Sequence, residues 1–270
     1  MNAMSPWSID PGCPASCVAE PEPRVPLAEL ARRYAALTYT LTRATARGGR
    51  LADPGTLRGE ARAVLGALGV GFEAGAPERL SASGHPGTGT LVVANHISWL
   101  DVIALLAVEP VSVLAKREVG RWPVIGPLAR RVGTHFIDRD GSPRHLPRRV
   151  AELAEVLRGG TSVLVFPQAT TWCSEAGGRF RRAVFQTAAD AGAPVRPVTV
   201  AYRQGGAAST AAAFLGEEDF TASLRRVAAA RALTVGVTAH APLWGTDRRT
   251  LAAAARRAVT RAADSATAAA

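Results

Sequence analysis

The sequence predicts an α/β domain built on a largely parallel sheet. Three observations carry that prediction. Short apolar runs alternate with helical patterns from residue 91 onward. One run, Leu91 to Ala94, stops abruptly at Asn95 and His96, and in open α/β sheets polar functional groups gather at the carboxyl ends of strands. The chain's 270 residues are 47 % hydrophobic and 20 % charged, enough to bury a substantial core and too apolar for general disorder.

Taken in order, residues 1–25 are rich in Pro, Ser and Cys and read as an irregular N-terminal arm. From Pro26 to about Arg47, Leu27, Leu30, Ala31, Tyr34 and Leu37 follow helical spacing. A second helix is expected over Thr56 to Leu68, its arginines facing away from Val64, Leu65 and Leu68. Residues 26–80 therefore form an N-terminal helical region, expected to pack on the core. The stretch "SASGHPGTGT" (81–90) is a loop; no Lys-Ser or Lys-Thr follows its glycines, so it is not a phosphate-cradling loop. Strands are expected at 91–94, 111–115, 134–137, 162–166, 195–202 and 233–239, with helices at 98–107, 143–158, 180–191, 221–231 and about 246–263. No repeat and no linker interrupts the chain after residue 80, so 81–270 reads as one domain.

The formal net charge is +10 and the pI about 10.9. A basic protein favours polyanions, among them nucleic acid, anionic membrane and phosphorylated substrates. Ala, Arg, Gly and Pro all run high and Lys116 is the single lysine, so compositional bias is the competing account of the charge. Nucleic-acid binding lacks aromatic interleaving or a recognisable module. The first basic residue is Arg24, with no apolar core before it, and no run of about 18 apolar residues exists; neither a secretory signal nor a transmembrane helix is expected. Cys13 and Cys17 have no second pair to complete a zinc site. No metal is expected, and Trp172 and Cys173 are expected to pack.

The stretch "NHISWLD" (95–101) supports two readings. Ser98 followed by Asp101 is a helix-capping arrangement, in which the carboxylate covers free amides. Alternatively, the chain bend before the helix brings Asp101 to one imidazole nitrogen of His96. Within one continuous helix, residues five apart point about 140° apart and do not meet. An imidazole oriented by a carboxylate is a general base. No nucleophile elbow is present, so the hydroxyl activated belongs to a substrate.

"NHISWLD" resembles the His-x4-Asp motif of the glycerolipid acyltransferases of the lysophosphatidate acyltransferase type. "GTHFIDRD" (133–140) is similar to that family's second block, Gly-x-x-Phe-Ile-x-Arg; "VLVFPQATTW" (163–172) to its third, Phe-Pro-Glu-Gly-Thr-Arg; "APVRPVTVAY" (193–202) to its fourth. "LAKREVGRWPVIG" (114–126) matches the stretch between the first two. The resemblance covers roughly residues 88–240. It implies a single domain with a mixed, mostly parallel sheet flanked by helices.

By the same resemblance, His96 takes the proton from an acceptor hydroxyl and Asp101 orients it. Arg139 engages acceptor phosphate with its guanidinium fork. Lys116 and Thr170 are further substrate contacts. The third block departs from the family at Gln168, Ala169 and Thr171, which stand where Glu, Gly and Arg are usual. Gln168 is thus a substrate-binding position altered from anion to amide. Arg179, Arg181 and Arg182 are candidates for the missing cation. The implied activity is acyl transfer from acyl-CoA or acyl-carrier protein, a donor substrate rather than a cofactor, to a lysophospholipid, with 1-acylglycerol-3-phosphate as the expected acceptor. Another lysolipid or aminolipid acceptor, or a catalytically weak lipid-binding role, is the alternative. The expected location is cytoplasmic, peripheral at the inner face of the cell membrane, with no nucleic-acid partner.

Overall fold

The computed structural model describes residues 12–75, 79–82, 87–137, 145–216 and 218–268, with side chains described as far as residue 261. Helix α1 (Leu27–Ala46) follows Pro26, and α2 (Pro54–Ala67) starts where the Asp53 carboxylate accepts the Thr56 N–H, with Pro at the first helical position. Strand β1 (Gly71–Ala74) follows directly. The central elements are β2 (Leu91–Ala94), α3 (Leu100–Val108), β3 (Ser112–Lys116), α4 (Ile125–Arg131) and β4 (His135–Ile137). Then come α5 (Leu146–Arg158), β5 (Val163–Val165), α6 (Ala183–Ala191), β6 (Val195–Gln204) and β7 (Ala207–Ala208). The last three are α7 (Phe220–Ala229), β8 (Leu233–Ala239) and α8 (Arg248–Ala268). Asp219 caps α7 through the Thr221 and Ala222 amides, and Asp247 accepts the Thr250 N–H at the start of α8.

The strands form one mixed sheet in the order β1-β8-β6-β2-β5-β3-β4, with β7 paired to β6. β6, β2, β5, β3 and β4 run parallel, while β8 is antiparallel to β6 and β1 follows β8. Side chains of β2 alternate between the faces, as the strand period requires. Val92 and Ala94 join a core with α1, α2, α3 and α7; Leu91 and Val93 join a second core with α5, α6 and α8. β2 is buried at every position, which explains its unbroken apolar run.

β1 lies inside the region expected to be purely helical. It is an edge strand paired on one side only, and its four residues, Gly-Phe-Glu-Ala, carry too little apolar pattern to announce it. α4 was likewise not expected; its segment, "IGPLARR", is short, polar and interrupted by Pro127. The described part of the arm, residues 12–25, holds one 3-10 turn, Ala15–Cys17, and is strapped down. The Arg231 N–H donates to Pro23 C=O, the Val25 N–H to Ala229 C=O, and the Ala19 N–H to Thr210 Oγ1.

Arg33 on α1 ties the N-terminal helices to the domain. It is 7 % exposed, and its guanidinium donates to the carbonyls of Leu68, Ala228 and Ala230 while pairing with Glu29. Gly69, at φ +68°, leaves the room: a Cβ there would lie 2.2 Å from Arg33 Cζ.

Candidate active site

β2 ends at Ala94, and the next two residues are pinned by their neighbours. Asn95 is fully buried. Its side-chain amide donates to Val200 C=O and accepts from Val200 N–H, both at 2.8 Å, so the side chain continues the β2–β6 pairing beyond the strand. His96 then projects from the carboxyl end of the parallel block. Its Nδ1 lies 2.8 Å from Asp101 Oδ2. An ionised carboxylate only accepts, so Nδ1 carries the proton and Nε2 keeps a free lone pair. The His96 side chain is 22 % exposed and that of Asp101 0 %: the imidazole is reachable and the carboxyl group beside it is not.

Asp101 also holds the chain bend ahead of α3. The same Oδ2 accepts the N–H groups of Ile97 (2.7 Å) and Ser98 (2.9 Å). Those bonds hold residues 97–99 as a turn, so α3 begins at Leu100 rather than at Ser98. Oδ1 accepts the hydroxyl of Tyr202 at 2.6 Å. Tyr202 lies in β6 and is 1 % exposed; burial and the adjacent carboxylate raise its pKa well above the ordinary value, so it remains a donor. The Asp101 carboxylate thus has four partners within the fold, three on Oδ2 and one on Oδ1.

The segment after β5 holds His96 from the other side. The Phe166 ring stacks on the imidazole at 3.9 Å with planes 17° apart. Gln168, 1 % exposed, accepts the His96 N–H on Oε1 at 2.7 Å. The Trp172 N–H donates to His96 C=O at 2.8 Å. Thr171 Oγ1 donates to Phe214 C=O, and the Phe214 N–H donates to Ile97 C=O. Ala169 sits at φ +64°, in the left-handed conformation a glycine adopts freely, closing a turn through its N–H to Phe166 C=O. Burial and the two neighbouring cysteines push the Cys173 thiol up to about 12.

The acyltransferase family model matches residues 76–201. The chain is 37 % identical to a 1-acyl-sn-glycerol-3-phosphate acyltransferase of Neisseria gonorrhoeae over 213 residues, 76 % of this chain and 81 % of that one. The chain belongs to the acyltransferase family. This acyltransferase is also 38 % identical to a lyso-ornithine lipid O-acyltransferase of Pseudomonas aeruginosa over 172 residues, 63 % of this chain and 66 % of that relative. Its fold is similar to the crystal structure of the 1-acyl-sn-glycerophosphate acyltransferase PlsC from Thermotoga maritima, at TM-score 0.60 and 18 % identity, covering 88 % of this chain and 95 % of that one.

The other expected site residues of the acyltransferase fall in different places. Thr170 is half-buried in the turn after Gln168. Lys116 is exposed at the carboxyl end of β3, two strands from β2 in the sheet. Arg139 lies outside the described residues. Gln168 touches the backbone of His96 rather than projecting outward. Sequence reasoning missed Asn95, Phe166 and Tyr202 as parts of the site. Asn95 carried a signal, a polar residue ending a fully apolar strand; Tyr202, 101 residues from Asp101, carried none. Among the described residues no helix is long and apolar enough to cross a membrane.

Proposed function

We propose that this chain moves a fatty acyl group from a thioester donor, acyl-CoA or acyl-carrier protein, to the hydroxyl of a lysolipid, with 1-acylglycerol-3-phosphate as acceptor. The observation that carries the chemistry is the 2.8 Å contact between His96 Nδ1 and Asp101 Oδ2 on a partly exposed ring. In this reading Nε2 accepts the acceptor hydroxyl proton as the oxygen attacks the thioester carbonyl. The tetrahedral intermediate collapses, the C–S bond breaks, and the imidazolium returns the proton to the departing thiolate. Buried Asp101 stabilises the imidazolium in between. General-base assistance of this kind is worth about 10²–10⁴-fold. Arg139, Lys116 and Thr170 are the groups assigned to the acceptor, the first two for phosphate. Peripheral attachment at the inner face of the membrane fits a net charge of +10 and large exposed apolar side chains such as Leu27 and Tyr39 on α1.

A second reading, an aminolipid such as a lyso-ornithine lipid as acceptor, is favoured by the Pseudomonas relative's name. The test is transfer of a radiolabelled acyl group by purified protein across a panel of lysolipids with both donor types, for wild type, His96→Ala and Gln168→Glu. Turnover on 1-acylglycerol-3-phosphate that disappears in His96→Ala is the expected result. Turnover confined to the aminolipid, and reduced by Gln168→Glu, selects the second reading. Near wild-type turnover in His96→Ala removes the general base from the proposal. Inactivity of wild type on every acceptor leaves a lipid-binding role.

A further inference from the structure

The three cysteines of the chain converge. Cys13 and Cys17 bracket a short 3-10 turn, Ala15–Cys17, in the N-terminal arm; Cys173 lies in the loop that follows the His96-binding turn. Cys13 Sγ is 3.4 Å from Cys173 Sγ, and all three sulfurs lie within 4.8 Å of one another. All three are free thiols at intermediate burial. The sequence alone left Cys13 and Cys17 without further ligands, and the fold brings a third thiol from 160 residues away.

We propose that Cys13, Cys17 and Cys173 bind a thiophilic divalent cation of the zinc class, and that this ion clamps the N-terminal arm to the loop that holds His96. Thiolates bound tetrahedrally at about 2.3 Å stand about 3.8 Å apart, which falls within the observed sulfur separations. The Cys-x3-Cys spacing is that of a zinc-binding turn. A disulfide would join two of the sulfurs and strand the third; one cation uses all three. Binding replaces up to three S–H bonds by metal–sulfur bonds and releases those protons to solvent, with no change of oxidation state. The fourth tetrahedral position is left to solvent or an external ligand. The clamp acts on the active site through one residue: Trp172, next to Cys173, donates its N–H to His96 C=O at 2.8 Å.

The full chain, purified with reductant and without chelator, is incubated with Zn²⁺ or Co²⁺, desalted and assayed by elemental mass spectrometry. The expected result is about one ion per chain, with sulfur-to-cobalt charge-transfer absorption in the Co²⁺ form. Cys13→Ser and Cys17→Ser should each weaken retention by at least about tenfold, with unchanged circular dichroism, since both lie on the arm outside the sheet. Cys173→Ser should do the same for the metal while leaving Cys13 and Cys17 freely alkylated. Removal of the ion should expose the arm to limited proteolysis, a readout independent of turnover. Three results would overturn the proposal: no retention by wild type whose thiols titrate as reduced, equal retention by Cys13→Ser, or a stable Cys13–Cys173 disulfide without metal in reducing buffer.

Discussion

Asp101 Oδ2 accepts from Ile97 N–H, Ser98 N–H and His96 Nδ1, while Oδ1 accepts from Tyr202. That division predicts how substitutions behave. In Asp101→Asn the carboxamide oxygen takes the place of Oδ2, and its NH₂ faces Tyr202, whose hydroxyl rotates to accept. The turn and the imidazole tautomer survive, and only the charge opposing the imidazolium is lost. Asp101→Asn is therefore expected to keep unfolding free energy within about 1 kcal/mol and to lose about 10²–10⁴-fold in kcat; denaturant unfolding and steady-state kinetics on one preparation check both. A variant that loses stability but not turnover per folded molecule would reduce Asp101 to a helix cap. Tyr202→Phe removes a hydrogen bond to a buried anion, which costs about 1.5–3 kcal/mol of stability. Freed on one side, the carboxylate holds His96 less tightly, and kcat should fall by about tenfold with the acceptor KM little changed.

At the scale of the element, the turn Phe166–Thr171 decides where His96 stands. It supplies a ring face and a side-chain acceptor, and the chain just beyond supplies the Trp172 N–H. Its neighbours are shaped around it: a Cβ on Gly177 would meet Gln168 Nε2 at 1.9 Å, and one on Gly178 would meet the Trp172 ring at 2.1 Å. Ala169 strains the turn, since a non-glycine residue at φ +64° costs about 1–2 kcal/mol. Replacement by glycine gives back about 0.5–1 kcal/mol through unfolded-state entropy. Ala169→Gly should thus stabilise the protein by up to about 1 kcal/mol, read as a higher denaturation midpoint at unchanged m-value. A lower midpoint would mean that the left-handed conformation is not held in solution.

Across the whole molecule, polar anchors at two places join elements distant in sequence. Arg33 carries α1 onto the ends of α2 and α7 through three carbonyls. Arg33→Leu leaves those carbonyls unpaired and is expected to cost about 2–4 kcal/mol, measured by urea unfolding; a loss under about 0.5 kcal/mol would mean that the helical region holds on by its apolar contacts alone. His240 pairs with Thr199 of β6 at 2.8 Å, and burial lowers its pKa from 6.5. The folded chain therefore binds this proton less readily than the unfolded chain. Above 6.5 both states are neutral here and full stability is present. Below it the unfolded chain protonates first, so stability declines as pH falls towards the folded value. The unfolding midpoint should drop as the pH falls below 6.5 in wild type and drop less in His240→Gln. The carboxylates whose pKa values are lowered, such as Glu29 at about 2 beside Arg32 and Arg33, titrate in a more acid window and do not obscure this one.

The sequence by itself determined the central strands of the sheet and the place of His96 at the carboxyl end of β2. β2 and β8 fall at the expected residues because a strand buried on both faces is apolar throughout and one buried mainly on a single face alternates, and both patterns can be read locally. His96 and Asp101 were legible for the same reason: five residues of chain and one bend place them together. What the sequence left open was decided by contacts between distant segments. Whether Asp101 meets the turn amides or the imidazole was undecidable locally, and in the fold one oxygen contacts both while Tyr202 from β6 holds the other. Gln168 read as a position facing the acceptor; the pairing of β5 beside β2 brings its Oε1 to the His96 N–H. Cys173 became the third member of a thiol cluster only when the arm crossed over the loop after β5. Local periodicity records which face of an element is buried. It carries no information about which residue lies opposite, and each feature that the tertiary structure decided is a question of what lies opposite.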